Sequence, residues 1–279
     1  MFSLLPQLLD ERSRVLLLSP MYGEYSHILQ HVIGCHITYF VLEDANGFAI
    51  DADDLISQAR EHDAVILVNP NSPTGVYCES MADIVSSIAR SNNPGSQCKM
   101  IWVDETYINY LPDAVSLEPL CGSLPELVVC KSMSKCYALS GLRVAYAVSQ
   151  NMATLRRFIP PWAVSLPGQL AAVAALRNDA YYAQQYEVIH SERRKMQQAL
   201  DDLGFQVFSG VANYLLTYLP AASGYSSTRF IEACREQGLF VRDAQNMGVL
   251  LPNNAVRFAV RSPEENEKML SIVDAILAL

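Results

Sequence analysis

Three short apolar runs, 64–68, 100–103 and 127–130, each lead into a turn dense in chemistry-bearing residues. Uninterrupted apolar runs of this length are the pattern of buried strands. The first run opens onto Asn69-Pro70-Asn71-Ser72-Pro73-Thr74-Gly75, and the second onto Asp104-Glu105-Thr106-Tyr107. The third leads to Lys131-Ser132-Met133-Ser134-Lys135. In open α/β sheets ligands sit just beyond the carboxyl ends of the strands. Three strands of this kind bring a proline-rich turn, an acid and a lysine to one sheet edge.

The rest of the chain supports such a sheet. Strands are expected at 14–19, 36–42, 64–68, 100–104, 127–130 and 142–148. Helices are expected at 1–9, 24–33, 51–60 (capped by Asp51) and 80–90, with a polar loop at 91–97. Strands alternating with helices imply an α/β fold, a mostly parallel sheet with helices on both faces. After Ser149 the pattern changes. Pro160-Pro161-Trp162 and Pro167-Gly168 break the chain, and helices follow at 169–176 and 181–203. The second is long and charged, suited to connecting two lobes. Strand material at 205–219, 239–242 and 255–260, with helices at 228–237 and 263–277, makes a smaller C-terminal α/β lobe. The expected division is a large domain over 1–185 and a small one over 186–279.

Composition narrows the function. The 279 residues are 51% apolar and 18% charged, enough for a sizeable core. A net charge of −9 argues against nucleic acid and anionic membrane as partners. No apolar run approaches the ~20 residues of a membrane span, and no basic region precedes Phe2-Ser3-Leu4-Leu5 as in a signal peptide. Seven cysteines without a C-x-x-C pair read as reduced thiols in a cytoplasmic protein. Cys130 and Cys136, flanking the lysine motif, read as packing residues. The five histidines show no metal-ligand spacing.

The stretch S-x-S-K-x(5)-G-x-R, formed by Ser132, Ser134, Lys135, Gly141 and Arg143, resembles the lysine motif of the fold-type I, class I/II aminotransferase family. N-P-N-S-P-T-G and D-E-T-Y are similar to two further motifs of that family, in the same order and with similar spacing. The resemblance covers essentially the whole chain and points to the histidinol-phosphate aminotransferase and threonine-phosphate decarboxylase branch. It implies pyridoxal 5′-phosphate (PLP) as cofactor, with Lys135 joined covalently to its aldehyde. Desolvation lowers a lysine pKa, which suits it to act as nucleophile and then as base. Asp104 would pair with the cofactor's ring nitrogen, Tyr107 would hydrogen-bond its 3-oxygen, and Tyr22 would stack on the ring. Ser132, Ser134 and Arg143 would hold the phosphate. Arg257 matches the arginine that forks onto a substrate α-carboxylate, and Arg261, on the same strand face, is a candidate for a second acidic group.

One departure stands out. Ser72 replaces the asparagine that usually contacts the 3-oxygen and helps hold the substrate. Family members also carry several dozen residues before the point matching Met1. These include a glycine turn at a helix start that donates N–H groups to the phosphate, and a tyrosine reaching the partner subunit. Three explanations stay open: a longer protein given incompletely, a compact enzyme that fills the gap otherwise, or a non-catalytic relative. The expected activity is transamination between an amino acid, or an amino acid-like phosphate ester, and a 2-oxo acid, by a homodimer. The rival readings are decarboxylation of a phosphorylated amino acid and a non-catalytic binding module.

Overall fold

The computed structural model describes residues 2–90 and 98–278. Met1 and the loop expected at 91–97 lie outside the described residues.

A short 3-10 turn at Phe2–Leu4 runs into α1 (Leu5–Leu8). β1 (Arg14–Ser19) follows, then α2 (Gly23–His27), which widens into a π-helical turn over Ile28–Ile33. Gly34 ends it in the left-handed conformation, φ 84°, that glycine adopts without steric cost. β2 (His36–Val41), α3 (Ala52–Ala59), β3 (Ala64–Val68), α4 (Met81–Arg90) and β4 (Met100–Asp104) complete the expected alternation. Asp51 caps α3, accepting a hydrogen bond from the Asp54 amide at 3.0 Å. β5 (Leu127–Ser132) and β6 (Ala145–Ser149) close a six-stranded sheet of order β2-β1-β3-β4-β5-β6. All neighbours are parallel except β5 and β6, which are antiparallel.

Every residue of β3 and β4 is buried, which is why these segments read as unbroken apolar runs. Their register matters for the site. Val68 sits opposite Asp104, and Asp104 opposite Cys130, so β3 and β4 end level and β5 runs two residues further, to Ser132.

The second half contains α5 (Met152–Arg156), α6 (Leu166–Leu176) and α7 (Asp179–Asp202). β7 (Gln206–Val207), β8 (Tyr214–Tyr218), α8 (Ser227–Glu236), β9 (Arg242–Asp243), β10 (Ala255–Ala259) and α9 (Pro263–Leu277) follow. A four-stranded antiparallel sheet, β7-β8-β10-β9, packs with α8 and α9 around Leu215, Phe230, Val256 and Phe258. The boundary expected at 185/186 falls inside α7. One part of that helix packs Tyr186 among the tyrosines near the lysine motif, and another packs Met196 and Leu200 against the smaller sheet.

Four expectations need correction. The strand expected from Leu142 starts at Ala145, because Leu142 lies in a 3-10 turn and Arg143 is left-handed, φ 55°. Pro167-Gly168 does not break the chain. Pro167 sits in the first turn of α6, where its missing N–H has no partner to lose, and Ser165 caps the Gly168 amide. The strand expected at 239–242 reduces to Arg242–Asp243. β10 stops at Ala259, so Arg261 lies beyond it.

The two sheets meet where 69–75 docks on 210–214. The Val211 amide donates to the Gly75 carbonyl at 2.8 Å. A Cβ on Gly210 would stand 2.7 Å from the Thr74 carbonyl oxygen and 2.9 Å from Gly75 backbone atoms. Gly210→Ala is expected to lose about 1–3 kcal/mol of stability in a denaturant titration, since backbone rather than a flexible side chain must yield.

Candidate active site

Asp104 is the last residue of β4 and only 5% exposed. Its Oδ2 accepts a hydrogen bond from the Tyr25 hydroxyl at 2.8 Å. Its Oδ1 accepts from the Thr106 amide at 2.9 Å and from the Thr106 hydroxyl. Burial raises its pKa, and the Thr106 and Tyr25 hydrogen bonds oppose that rise. The Tyr25 hydroxyl is fixed in turn by the indole of Trp102, which donates to it at 3.0 Å.

Thr106 links the acid to the lysine turn. Its hydroxyl accepts from the Ser132 amide at 3.0 Å, and its carbonyl accepts from Cys136 Sγ at 3.2 Å. The Ser132 and Ser134 hydroxyls are 2.9 Å apart. Lys135 projects from this turn and is accessible to solvent. Burial of its surroundings lowers its pKa, and the positive charge of Arg257 lowers it further. Arg143 lies across from the serines, because Ser132 pairs with Ala145 and the Met133 amide donates to Val144. Its exposed guanidinium donates to the Ser140 carbonyl at 2.9 Å.

Tyr107 follows Thr106 and is buried, which pushes its phenol up to about 12. Arg257 pulls it down, while Asp104 and Tyr22 push it up. Tyr22, 44% exposed, thus belongs to the same electrostatic group. Arg257 arrives from β10 and donates to the Ser72 hydroxyl at 3.3 Å. The structure therefore brings Asp104, Tyr107, Lys135, Ser132, Ser134, Tyr22, Ser72 and Arg257 to one edge of the large sheet. Arg261 is not among them. Past the end of β10, its guanidinium pairs with Glu265 at 2.9 Å on an exposed surface. Ser262 and Glu265 form the capping box that starts α9 and hold that pair there.

Four residues that support the site, Thr106, Trp102, Tyr25 and Tyr214, were not singled out from the sequence. Thr106 has a local signal, since an aspartate side chain commonly accepts from the amide two residues on. Trp102 shares a strand face with Asp104 by period-two alternation, yet nothing local names its partner Tyr25. Tyr214, whose ring lies under the Arg257 guanidinium at 4.7 Å, meets it only through the tertiary fold. A separate cleft of about 800 Å³, lined by Asp10, Asp63, Lys99 and Glu126, lies at the opposite, N-terminal ends of the strands.

A mostly parallel sheet with a lysine turn tied to a buried strand-end acid is the arrangement of fold-type I PLP proteins. Residues 2–273 match the profile of the Aminotransferase class I and II family, and the chain belongs to that family, which is PLP-dependent. It is similar to threonine-phosphate decarboxylase from Salmonella typhimurium, with 28% identity over 95% of this chain and 71% of that protein. A histidinol-phosphate aminotransferase from Methanococcus maripaludis is 26% identical over 97% of this chain and 71% of its own length. The crystal structure of histidinol-phosphate aminotransferase from Clostridium acetobutylicum has the same fold, with a TM-score of 0.86 at 24% identity. That match covers 99% of this chain and 80% of the other.

Two outcomes follow from the geometry. Arg257→Ala removes a positive charge that depresses Lys135, so the lysine pKa should rise; NMR titration of the reductively methylated amine reads it. Tyr25→Phe strands the buried Trp102 N–H and takes a donor from Asp104, and should cost about 1–3 kcal/mol in a denaturant titration.

Proposed function

We propose that this chain is a PLP-dependent aminotransferase that moves an amino group between an amino acid, or an amino acid-like phosphate ester, and a 2-oxo acid. One observation carries the reading: an accessible lysine with a lowered pKa is tied through Thr106 to a buried carboxylate whose hydrogen-bond donors are all neutral. Among the described residues no cationic side chain pairs with this carboxylate, and a protonated ring nitrogen would suit it. The remaining residues suit the cofactor as well. The Tyr107 phenol stays protonated and can donate to a 3-oxygen, the paired Ser132 and Ser134 hydroxyls and Arg143 suit a phosphate, and the exposed Tyr22 ring suits stacking.

When bound, PLP supplies an aldehyde that condenses with amines and a cationic ring that accepts electrons from the substrate α-carbon. The chain does the rest. Lys135 Nζ, neutral more of the time than an ordinary lysine, takes the proton from the α-carbon. Asp104 would pair with the ring nitrogen of the bound cofactor and favour its protonated form. Arg257 presents a planar fork to the α-carboxylate, and Ser72, in place of the usual asparagine, offers a shorter hydroxyl beside it. A homodimer and a cytoplasmic location belong to the same proposal. Leu166, Leu170 and Val173 leave one face of α6 apolar and exposed, beside Trp162 at 97% exposure, which supports self-association. Among the described residues no helix is long and apolar enough to cross a membrane.

The similarity to threonine-phosphate decarboxylase favours a second reading, loss of the carboxylate instead of the α-proton. Incubation of the PLP-loaded protein with amino acids and O-phosphoamino acids decides between them. Formation of 2-oxo acid supports transamination, and release of carbon dioxide supports decarboxylation. Adding PLP should generate a visible absorbance band that Lys135→Ala abolishes, with kcat falling by about 100- to 10,000-fold. No band with the native chain would leave the non-catalytic reading standing.

A further inference from the structure

Tyr214 has been assigned no role so far, yet it touches Arg257, Asn71 and Tyr107 at once. It opens β8, beside β10, and is 4% exposed. Its ring face lies 4.7 Å beneath the Arg257 guanidinium. Its hydroxyl donates to the Asn71 carbonyl at 2.8 Å, and it also interacts with the Ser72 side chain. Its ring packs perpendicular to that of Tyr107, with centroids 5.2 Å apart at 87°. Gly75 closes over it, since a Cβ there would stand 3.6 Å from Tyr214 Cε2.

These contacts define a platform. A guanidinium on a flexible stem has many rotamers, and a fork that grips a carboxylate needs one of them. The ring of Tyr214 attracts the cation from below, and Ser72 accepts from Nη1 at 3.3 Å. Two contacts hold the platform: its hydroxyl is anchored to the Asn71 carbonyl, and its ring packs perpendicular to that of Tyr107. Ser72 has one hydroxyl and reaches less far than an asparagine, so the ring carries more of the task of aiming the arginine.

We propose that Tyr214 is a positioning residue that sets the Arg257 fork for the substrate carboxylate. This rests on the reading that Arg257 binds that carboxylate. Acting on the substrate side, Tyr214 governs how tightly a carboxylate-bearing substrate binds and leaves the affinity for PLP alone.

The test uses the PLP-loaded full chain, its Tyr214→Phe, Tyr214→Leu and Arg257→Ala variants, and L-glutamate as probe. PLP affinity is read by absorbance titration, L-glutamate binding by the spectral change it induces, and turnover with a 2-oxo acid acceptor by kcat and KM. Tyr214→Leu should weaken L-glutamate by about 3- to 30-fold, the range of a partly desolvated cation–π contact. Tyr214→Phe keeps the ring but loses the anchor, and should weaken it by about 2- to 10-fold. In both, KM should rise while kcat and PLP affinity hold. If Arg257→Ala weakens L-glutamate but neither Tyr214 variant does, the platform is wrong and the carboxylate reading stands. If PLP affinity falls in step with L-glutamate affinity in Tyr214→Phe, the tyrosine is a structural prop and the proposal fails. If Arg257→Ala binds L-glutamate as the native chain does, or the native chain gives no response, the reading of Arg257 fails and the platform with it.

Discussion

A carboxylate almost out of contact with water is the constraint from which the site follows. Burying Asp104 is unfavourable unless its oxygens are filled, and the fold fills them with Tyr25 and Thr106. Each donor must itself be held. Trp102 holds Tyr25, and the Ser132 amide holds Thr106, so one desolvated group fixes α2 to the ends of β4 and β5. The next residue makes the contrast. Glu105, 1% exposed, is met by Lys131 at 3.2 Å and by Ser116 and the Leu117 amide, and Lys131 also pairs with Glu118 at 2.6 Å. Two adjacent acids at one strand end thus differ in kind. Glu105 has its cation built in, while the donors to Asp104 are neutral. Among the described residues no cationic side chain pairs with Asp104, which shares its sheet edge with Lys135, Tyr107 and Arg257.

Much of this was legible along the chain because parallel strands are buried on both faces. β1, β3 and α9 run over the residues expected of them, since their apolar patterns are strong local signals. The misses have local causes too. Pro167 reads as a breaker unless it falls in a first helical turn, and β9 is too short to show alternation. The motif residues were legible because turn chemistry is compressed into a few positions. Their supports were not. Tyr25 is 79 residues from Asp104, and Tyr214 is 143 from Asn71, so no spacing links them. Arg261 failed in the opposite way: alternation assigned it to a strand face, but the chain had already turned into the cap of α9.

The lysine owes its state to both sheets. Its turn has little regular structure; Ala138 is left-handed at φ 55°, a conformation unfavourable for alanine. The turn persists because it is clamped from several sides. Cys136 Sγ donates to Thr106, the Tyr186 hydroxyl of α7 donates to the Cys136 carbonyl at 3.1 Å, and the Met133 amide donates to Val144. That clamp presents the amine at the edge of the parallel sheet. Desolvation lowers its pKa most, and Arg257 of the antiparallel sheet, held over Tyr214 and beside Ser72, lowers it further. The contribution of Arg257 therefore depends on how the two sheets meet at Gly75 and Gly210, where backbone touches backbone and leaves no room for a side chain. A shift at that seam would move the guanidinium relative to the amine, so packing far from the lysine acts on its affinity for a proton.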